Sequence, residues 1–275
     1  MNKIITVMKR YLLAVVSIFT ISSLCAQSSQ GKITYDRISK LQFSFAGLPG
    51  GMEQQMPSSR TDKFELTYGN NQILWKGAET ESDDNENSFQ SDNGAHVRMI
   101  VAGSNDVLYC NLESGKKVES RDMMDKTFIV EDSISKLKWK MSGETKVILG
   151  HNCMKATSSR VSKRTTMNMD NGVMEKKEIE DTSLVVAWFA TDIPVSAGPG
   201  EFQGQLPGMI LEMDIKDGTQ VYKATSISEK ADLAIIKEPA GKKRYTKAQF
   251  KEEVDKMLNE MNQGGGGNRR VIRMN

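Results

Sequence analysis

The chain has 275 residues, 37 Lys and Arg against 35 Asp and Glu, and 38% hydrophobic residues. That is enough apolar content for a folded core, and it lacks the basic surplus that a nucleic-acid partner requires. Even the formal +2 belongs to the first residues: without Lys3, Lys9 and Arg10 the balance becomes 34 against 35, a net −1.

Those three cations precede an apolar run over 11–21 and a small, polar run over 22–27, which is the order of a secretory signal peptide. The apolar run is shorter than the ~20 residues of a membrane-spanning helix. Cleavage is expected after Ala26. Residues 1–26 therefore read as a leader, 27–262 as a single β-rich domain and 263–275 as a flexible Gly/Arg tail. The mature chain is expected to be exported, periplasmic or extracellular, with no membrane span left once the leader is gone. In an oxidising compartment Cys110 and Cys153 are candidates for a disulfide worth on the order of 4 kcal/mol. The other reading makes them two small buried apolar side chains on separate strands.

Taken in order, alternation of apolar and polar residues predicts strands at 31–38, 41–45, 60–68 and 72–76, the last two joined by a tight turn at Gly69-Asn-Asn71. Residues 79–94 crowd Asp and Glu among Ser and Asn without the ligand spacing of a calcium loop, so a solvated acidic loop is expected. A hairpin follows over 96–102 and 107–112. Further short strands are expected at 117–120, 127–130, 136–141, 146–149, 153–158, 160–169 and 176–189, with a turn at Gly150-His-Asn152.

Residues 193–200 are too rich in Pro and Gly for helix or central strand. After them Pro207 and Gly208 suit the second and third positions of a type II turn. Met209, Leu211, Met213 and Ile215 then share one face of a half-buried strand. Residues 220–226 read as another strand and 233–237 as a final candidate. Thr246 and Gln249 form a capping box for a helix whose apolar stripe is Phe250, Val254, Met257, Leu258 and Met261. The expected fold is mainly β: a curled antiparallel sheet or half-barrel with one C-terminal amphipathic helix.

Catalytic motifs are hard to assemble. Outside the leader stand two histidines, His96 and His151, with no nucleophile elbow, zinc-binding helix, phosphate loop or Cys-x-x-Cys pair. No cofactor is assigned, and a hydrolase built on converging carboxylates is the least favoured reading. Methionine is abundant at 17 residues. Thioethers suit Cu(I), so Met167, Met169 and Met174, or His151 with Met154, form a candidate metal set, against the ordinary use of Met as core filler.

Several segments together resemble the GLPGLI family of exported envelope proteins of Bacteroidota: Phe128-Ile-Val-Glu-Asp132, Trp139, Gly143-Glu-Thr-Lys146, Ile148-Leu-Gly150, Cys153-Met-Lys-Ala-Thr157, Ala187-Trp-Phe189, Ile193-Pro194, Gly198-Pro199 and Leu206-Pro-Gly-Met-Ile-Leu-Glu212. Two positions depart from the family signature. Gln205 stands where Gly is usual, implying either no demand for positive φ there or a different local turn, and Met209 stands where Leu is usual, a volume-conserving change. The resemblance implies a β-rich envelope protein of unestablished role and supplies no catalytic residues. The expected function is a non-enzymatic binding or accessory module for an outer-membrane or other envelope partner, or for an apolar ligand. Trp188, Ile193, Pro194, Leu206 and Met209 are its candidate contacts, and Pro207 and Gly208 its structural turn. The ligand version requires an open apolar concavity under residues 193–208.

Overall fold

A computed structural model describes residues 30–40, 58–78, 88–90, 96–98, 106–123, 126–170 and 173–264, and over 88–90, 96–98, 163–170, 173–179, 258–259 and 261–264 it describes the backbone alone. The expected leader, the expected strand at 41–45, most of the expected acidic loop and the Arg-bearing tail lie outside the described residues. Among those described, fourteen strands and one long helix follow one another as β1 (Gly31–Lys40), β2 (Ser59–Gly69), β3 (Gln72–Gly77), β4 (Ser88–Gln90), β5 (His96–Arg98), β6 (Val107–Asn111), β7 (Lys116–Met123), β8 (Lys126–Ser133), β9 (Lys140–Ile148), β10 (His151–Asp170), β11 (Val173–Ala190), β12 (Met209–Ile215), β13 (Gln220–Ser228), β14 (Arg244–Tyr245) and α1 (Lys247–Gly264). No described helix is long and apolar enough to cross a membrane.

Twelve strands form one open sheet in the order β14-β8-β7-β6-β3-β2-β1-β13-β12-β11-β10-β9. Every pairing is antiparallel except the short parallel contact of β14 with β8. Local chemistry sets the turns. Asn70 and Asn71 have φ of 52° and 59° between the paired ends Gly69 and Gln72, the double left-handed geometry of a two-residue hairpin loop that Asn tolerates. The β9–β10 turn uses Leu149 (φ 49°) and Gly150 (φ 87°), so it falls one to two residues earlier than expected and His151 is already in the strand.

The sheet curls around its core. Trp75 stacks on Phe64 at 4.9 Å between ring centroids and meets Tyr35 at 5.4 Å and Tyr222 at 6.0 Å, which gathers side chains of β3, β2, β1 and β13. Tyr35 donates its hydroxyl to the Ile210 carbonyl at 2.7 Å, bridging β1 and β12, which are not neighbours in the sheet. Complete burial raises the Tyr35 phenol far above its ordinary range, so it stays a neutral donor.

On the opposite face Leu74, Tyr109, Val118 and Ile129 are covered by Ile236 and Leu233. Residues 233–235 form a 3-10 turn, not the expected strand, because Asp232 caps the Ala234 amide at 2.9 Å and curls the chain. The expected capping box is present. Thr246 N–H reaches Gln249 Oε1 at 3.0 Å and Gln249 N–H reaches Thr246 Oγ1 at 3.2 Å. Phe250, Val254 and Met257 of α1 pack on Phe128 and Val130 of β8.

Three further expectations are corrected. Segments 153–158 and 160–169 are one 20-residue strand, since polar residues at both parities of the run leave no alternation to mark where a strand ends. The strand at 96–98 pairs with β4 in a separate two-stranded sheet and not with β6, which lies between β3 and β7. Residues 136–139 are not strand; β9 begins at Lys140, and Trp139 is half-buried against the core.

Candidate functional site

Residues 193–208 fill the hollow of the curled sheet. Ile193, Ala197, Phe202, Gln203 and Leu206 are all less than a tenth exposed and belong with the buried interior. The segment has no strand partner, so its own polar groups hold it. Gln203, with no exposed surface, accepts the Gly198 amide at 3.1 Å through Oε1 and donates through Nε2 to the carbonyls of Gly198 and Gly200. Backbone bonds tie it to β12: Met209 N–H to Ile193 O at 3.1 Å and Ile210 N–H to Ala197 O at 2.9 Å. At the far end Gly204, at φ 70°, lies against Ile134 and Leu112, the opposite wall of the hollow.

Gln205 locks that end. Its Oε1 accepts the Leu137 amide at 2.9 Å and the Trp139 indole at 3.3 Å, while its Nε2 donates to Ser135 O at 2.8 Å and Gln203 O at 3.1 Å. As expected from the departure at this position, Gln205 is not among the residues of positive φ.

Gly208 requires a correction. It too is absent from the positive-φ residues, so no type II turn demands it. A Cβ there would instead drive into the Ala190 carbonyl and the Phe189 ring, so glycine is needed for close approach of the chain to β11. Pro207 lies exposed beside it.

The five candidate contact residues are not brought to one surface. Ile193, Leu206 and Met209 are core, and Pro194 is exposed. Trp188 is half-buried beneath two cations, Lys146 Nζ 4.3 Å and Lys155 Nζ 5.7 Å from its ring centroid. These cations are themselves paired, Lys146 with Glu212 at 2.8 Å and Lys155 with Glu144 at 2.9 Å. Because the plug occupies the concavity, the hollow under 193–208 that an apolar ligand would need is filled with protein.

Cys110 and Cys153 are free thiols, each fully buried, on strands separated by six others in the sheet order. They serve as small apolar side chains on separate strands, the second of the two readings, and not as a bridge. Burial pushes the Cys110 thiol up to about 12 and the Cys153 thiol up to about 11. His151 Nδ1 lies 2.8 Å from Asp192 Oδ2 and Cys153 Sγ points to the His151 carbonyl, so these groups form no activated nucleophile. His151 and Met154 are three residues apart on one strand and so face opposite sides, which separates that proposed ligand pair. A shallow polar recess of about 280 Å³ lies between Lys243, Tyr245 and the Gln249 to Lys256 face of α1.

The remaining feature is an arm. β10 pairs with β9 no further than Thr157, and β11 with β12 only from Val185, yet β10 and β11 stay paired to each other as far as Asp170 and Val173. From Arg160 opposite Ser183 outward, eleven register pairs have no third strand among the described residues, a ribbon on the order of 35 Å long. Its root is braced by Arg160–Glu201 at 2.7 Å and Lys216–Asp181 at 2.5 Å. There Val161 is 62% and Leu184 46% exposed, diagonal neighbours on one face. Sequence reading missed the arm because it split β10 in two. The signal was the unbroken expected strand at 176–189, long enough to pair with both segments at once, as it does.

Comparison with known proteins adds little on function. A family described as "Protein of unknown function (Porph_ging)" matches residues 139–212, from the Trp139 connector through the arm and plug to β12. No curated protein matches the chain. A solved structure titled "Structure of PNGF-II in C2 space group" aligns at 19% identity with a TM-score of 0.47, over 82% of this chain and 33% of that one.

Proposed function

We propose that this chain is a non-catalytic binding module of the GLPGLI type, exported by its leader, which engages an envelope protein partner through the β10–β11 arm. The observation that carries this reading is the ribbon running past the end of every neighbouring strand. A two-stranded hairpin alone is marginal in water, and one that leaves both edges unpaired offers backbone donors and acceptors for strand addition. Exposed Val161 and Leu184 at its base supply apolar area beside those edges. The plugged concavity favours a partner at the surface over an apolar ligand inside.

Photo-crosslinking residues placed at Thr182 and Ser159, with a control at Lys223 on β13, test the reading in envelope preparations of the native host. A discrete adduct from the arm positions, absent from the control, is expected. An arm-shortened chain, with 162–181 replaced by a two-residue turn, should keep its melting transition and lose the adduct. Equal crosslinking from Lys223, or undiminished association of the shortened chain, would refute it.

A further inference from the structure

We infer that one end of the hollow, where Arg37, Arg60 and Arg160 gather beside Tyr222, is an oxyanion site that takes the phosphate or carboxylate group of a small molecule. The apolar face carrying Tyr35 on β1 and Phe64 on β2 turns polar one step further along. Arg37 stands two residues past Tyr35, and Asp62 and Arg60 stand two and four residues before Phe64, so all share that face. Arg37 lies opposite Asp62 on one neighbouring strand and opposite Tyr222 on the other. Its guanidinium sits over the Phe64 ring, 4.5 Å from the centroid. Arg160 of β10 reaches the same end, where it pairs with Glu201 of the plug at 2.7 Å, and Tyr222 feels the charges of Arg37, Glu201 and Arg160 together.

Donors outnumber acceptors here. A guanidinium offers five N–H groups, yet Asp62 alone serves two guanidiniums, taking Arg37 Nη2 at 2.9 Å and Arg60 Nε at 2.7 Å. Arg37 Nε is buried without a hydrogen-bond partner. Tyr222 accepts from Arg37, which leaves its own hydroxyl proton to donate, and burial raises the phenol so that it stays neutral. Charge is unbalanced in the same sense. Among the described residues three arginines face two carboxylates, and the next acid on this face, Asp181, is already held by Lys216 at 2.5 Å. The surplus positive charge is sheltered, the side chains of Arg37 and Arg60 being 11% and 20% exposed, where a cation lacking a counter-charge is costly. Planar guanidinium forks match the paired oxygens of a carboxylate or phosphate. Because the plug fills the hollow behind, the site receives a charged group at the mouth and not an apolar chain within.

The test titrates the full mature chain with inorganic phosphate and, separately, with acetate, by calorimetry and by melting, at an ionic strength held near ~0.15 M with sodium chloride. Saturable binding of one equivalent of at least one anion is expected, and the tighter of the two identifies the phosphate or the carboxylate source. Arg60→Gln should weaken that binding about tenfold or more, and Arg60→Lys, which keeps the charge but loses the fork, should restore only part of it. Asp62→Asn removes the competing carboxylate, so it should tighten the anion about tenfold even while lowering the melting temperature. A purely bracing role for these ion pairs gives the melting loss with no gain in binding. Lys223→Gln, on the outer face of β13, should change neither anion's affinity. An unsaturable response to both anions, full binding by Arg60→Gln, or no tightening in Asp62→Asn would overturn the assignment. None of these outcomes bears on the crosslinking test, so the anion site and the partner reading fail separately.

Discussion

Replacing Gly208 by alanine separates two explanations of why glycine stands there. The added Cβ would strike the Ala190 carbonyl and the Phe189 ring, neither of which can yield without moving β11. Overpacking of this kind costs about 1–3 kcal/mol. Relief by backing residue 208 away would strain the Met209 to Ile193 and Ile210 to Ala197 backbone bonds, each worth about 1 kcal/mol. A loss of about 2–4 kcal/mol follows, which in urea at a slope near 2.5 kcal/mol/M lowers the midpoint by roughly 1–1.5 M. Asn is the discriminating substitution, because it tolerates left-handed backbone but brings a Cβ of its own. If close approach is the reason for glycine, Gly208→Asn should be as damaging as Gly208→Ala. A Gly208→Asn midpoint within ~0.2 M of the parent, the slope unchanged, would restore the turn explanation and refute the steric one.

Three other outcomes follow from the described geometry. Gln205→Ala removes three hydrogen bonds between the plug and residues 135–139 and a fourth within the plug, and should cost about 1–3 kcal/mol and speed amide exchange at Leu137; unchanged exchange there would deny the clamp its role. Leu149→Asn should raise stability by about 0.5–1 kcal/mol in urea unfolding, because Leu149 holds a left-handed φ of 49° in a two-residue hairpin turn where Asn is at ease. Cys110 and Cys153, whose burial holds the neutral thiol, should resist a thiol reagent at mildly alkaline pH and both react once the chain is unfolded without reductant. An unfolded chain that shows neither thiol would mean the two are bridged after all.

What could be read from the sequence divides along physical lines. β1 and the second half of β12 announce themselves because one face of each is buried in the core and the other is partly solvated, and alternation records that asymmetry. The capping box of Thr246 and Gln249 was legible for the same reason: it is local chemistry within one helical turn. The plug was visible only as a run of Pro and Gly, since its order rests on Gln203 and Gln205, whose partners at Gly198 and Leu137 are named by no periodicity. A glutamine between Phe202 and Leu206, both buried, was the available hint. Gly208 was noticed for the wrong property. A glycine chosen for φ and one chosen for lack of a Cβ look the same as letters, and only the neighbouring strand distinguishes them.

The position of β1 has a kinetic consequence. Strands β2, β3, β6, β7 and β8 make one meander and β9 to β13 another, each built from neighbours in sequence or nearly so. The halves meet along a single seam, where Lys32 lies opposite Ser228 and Ser39 opposite Gln220. Closing that seam requires the far end of the chain to find the near one, the kind of long-range pairing that slows folding. The first meander can assemble before the second has been synthesised, and the join, with Tyr35 reaching Ile210 beside it, must wait until residue 228 is available. A chain interrupted before β13 would hold two partial sheets whose exposed margins, β1 on one and β12 on the other, both lack the same neighbour.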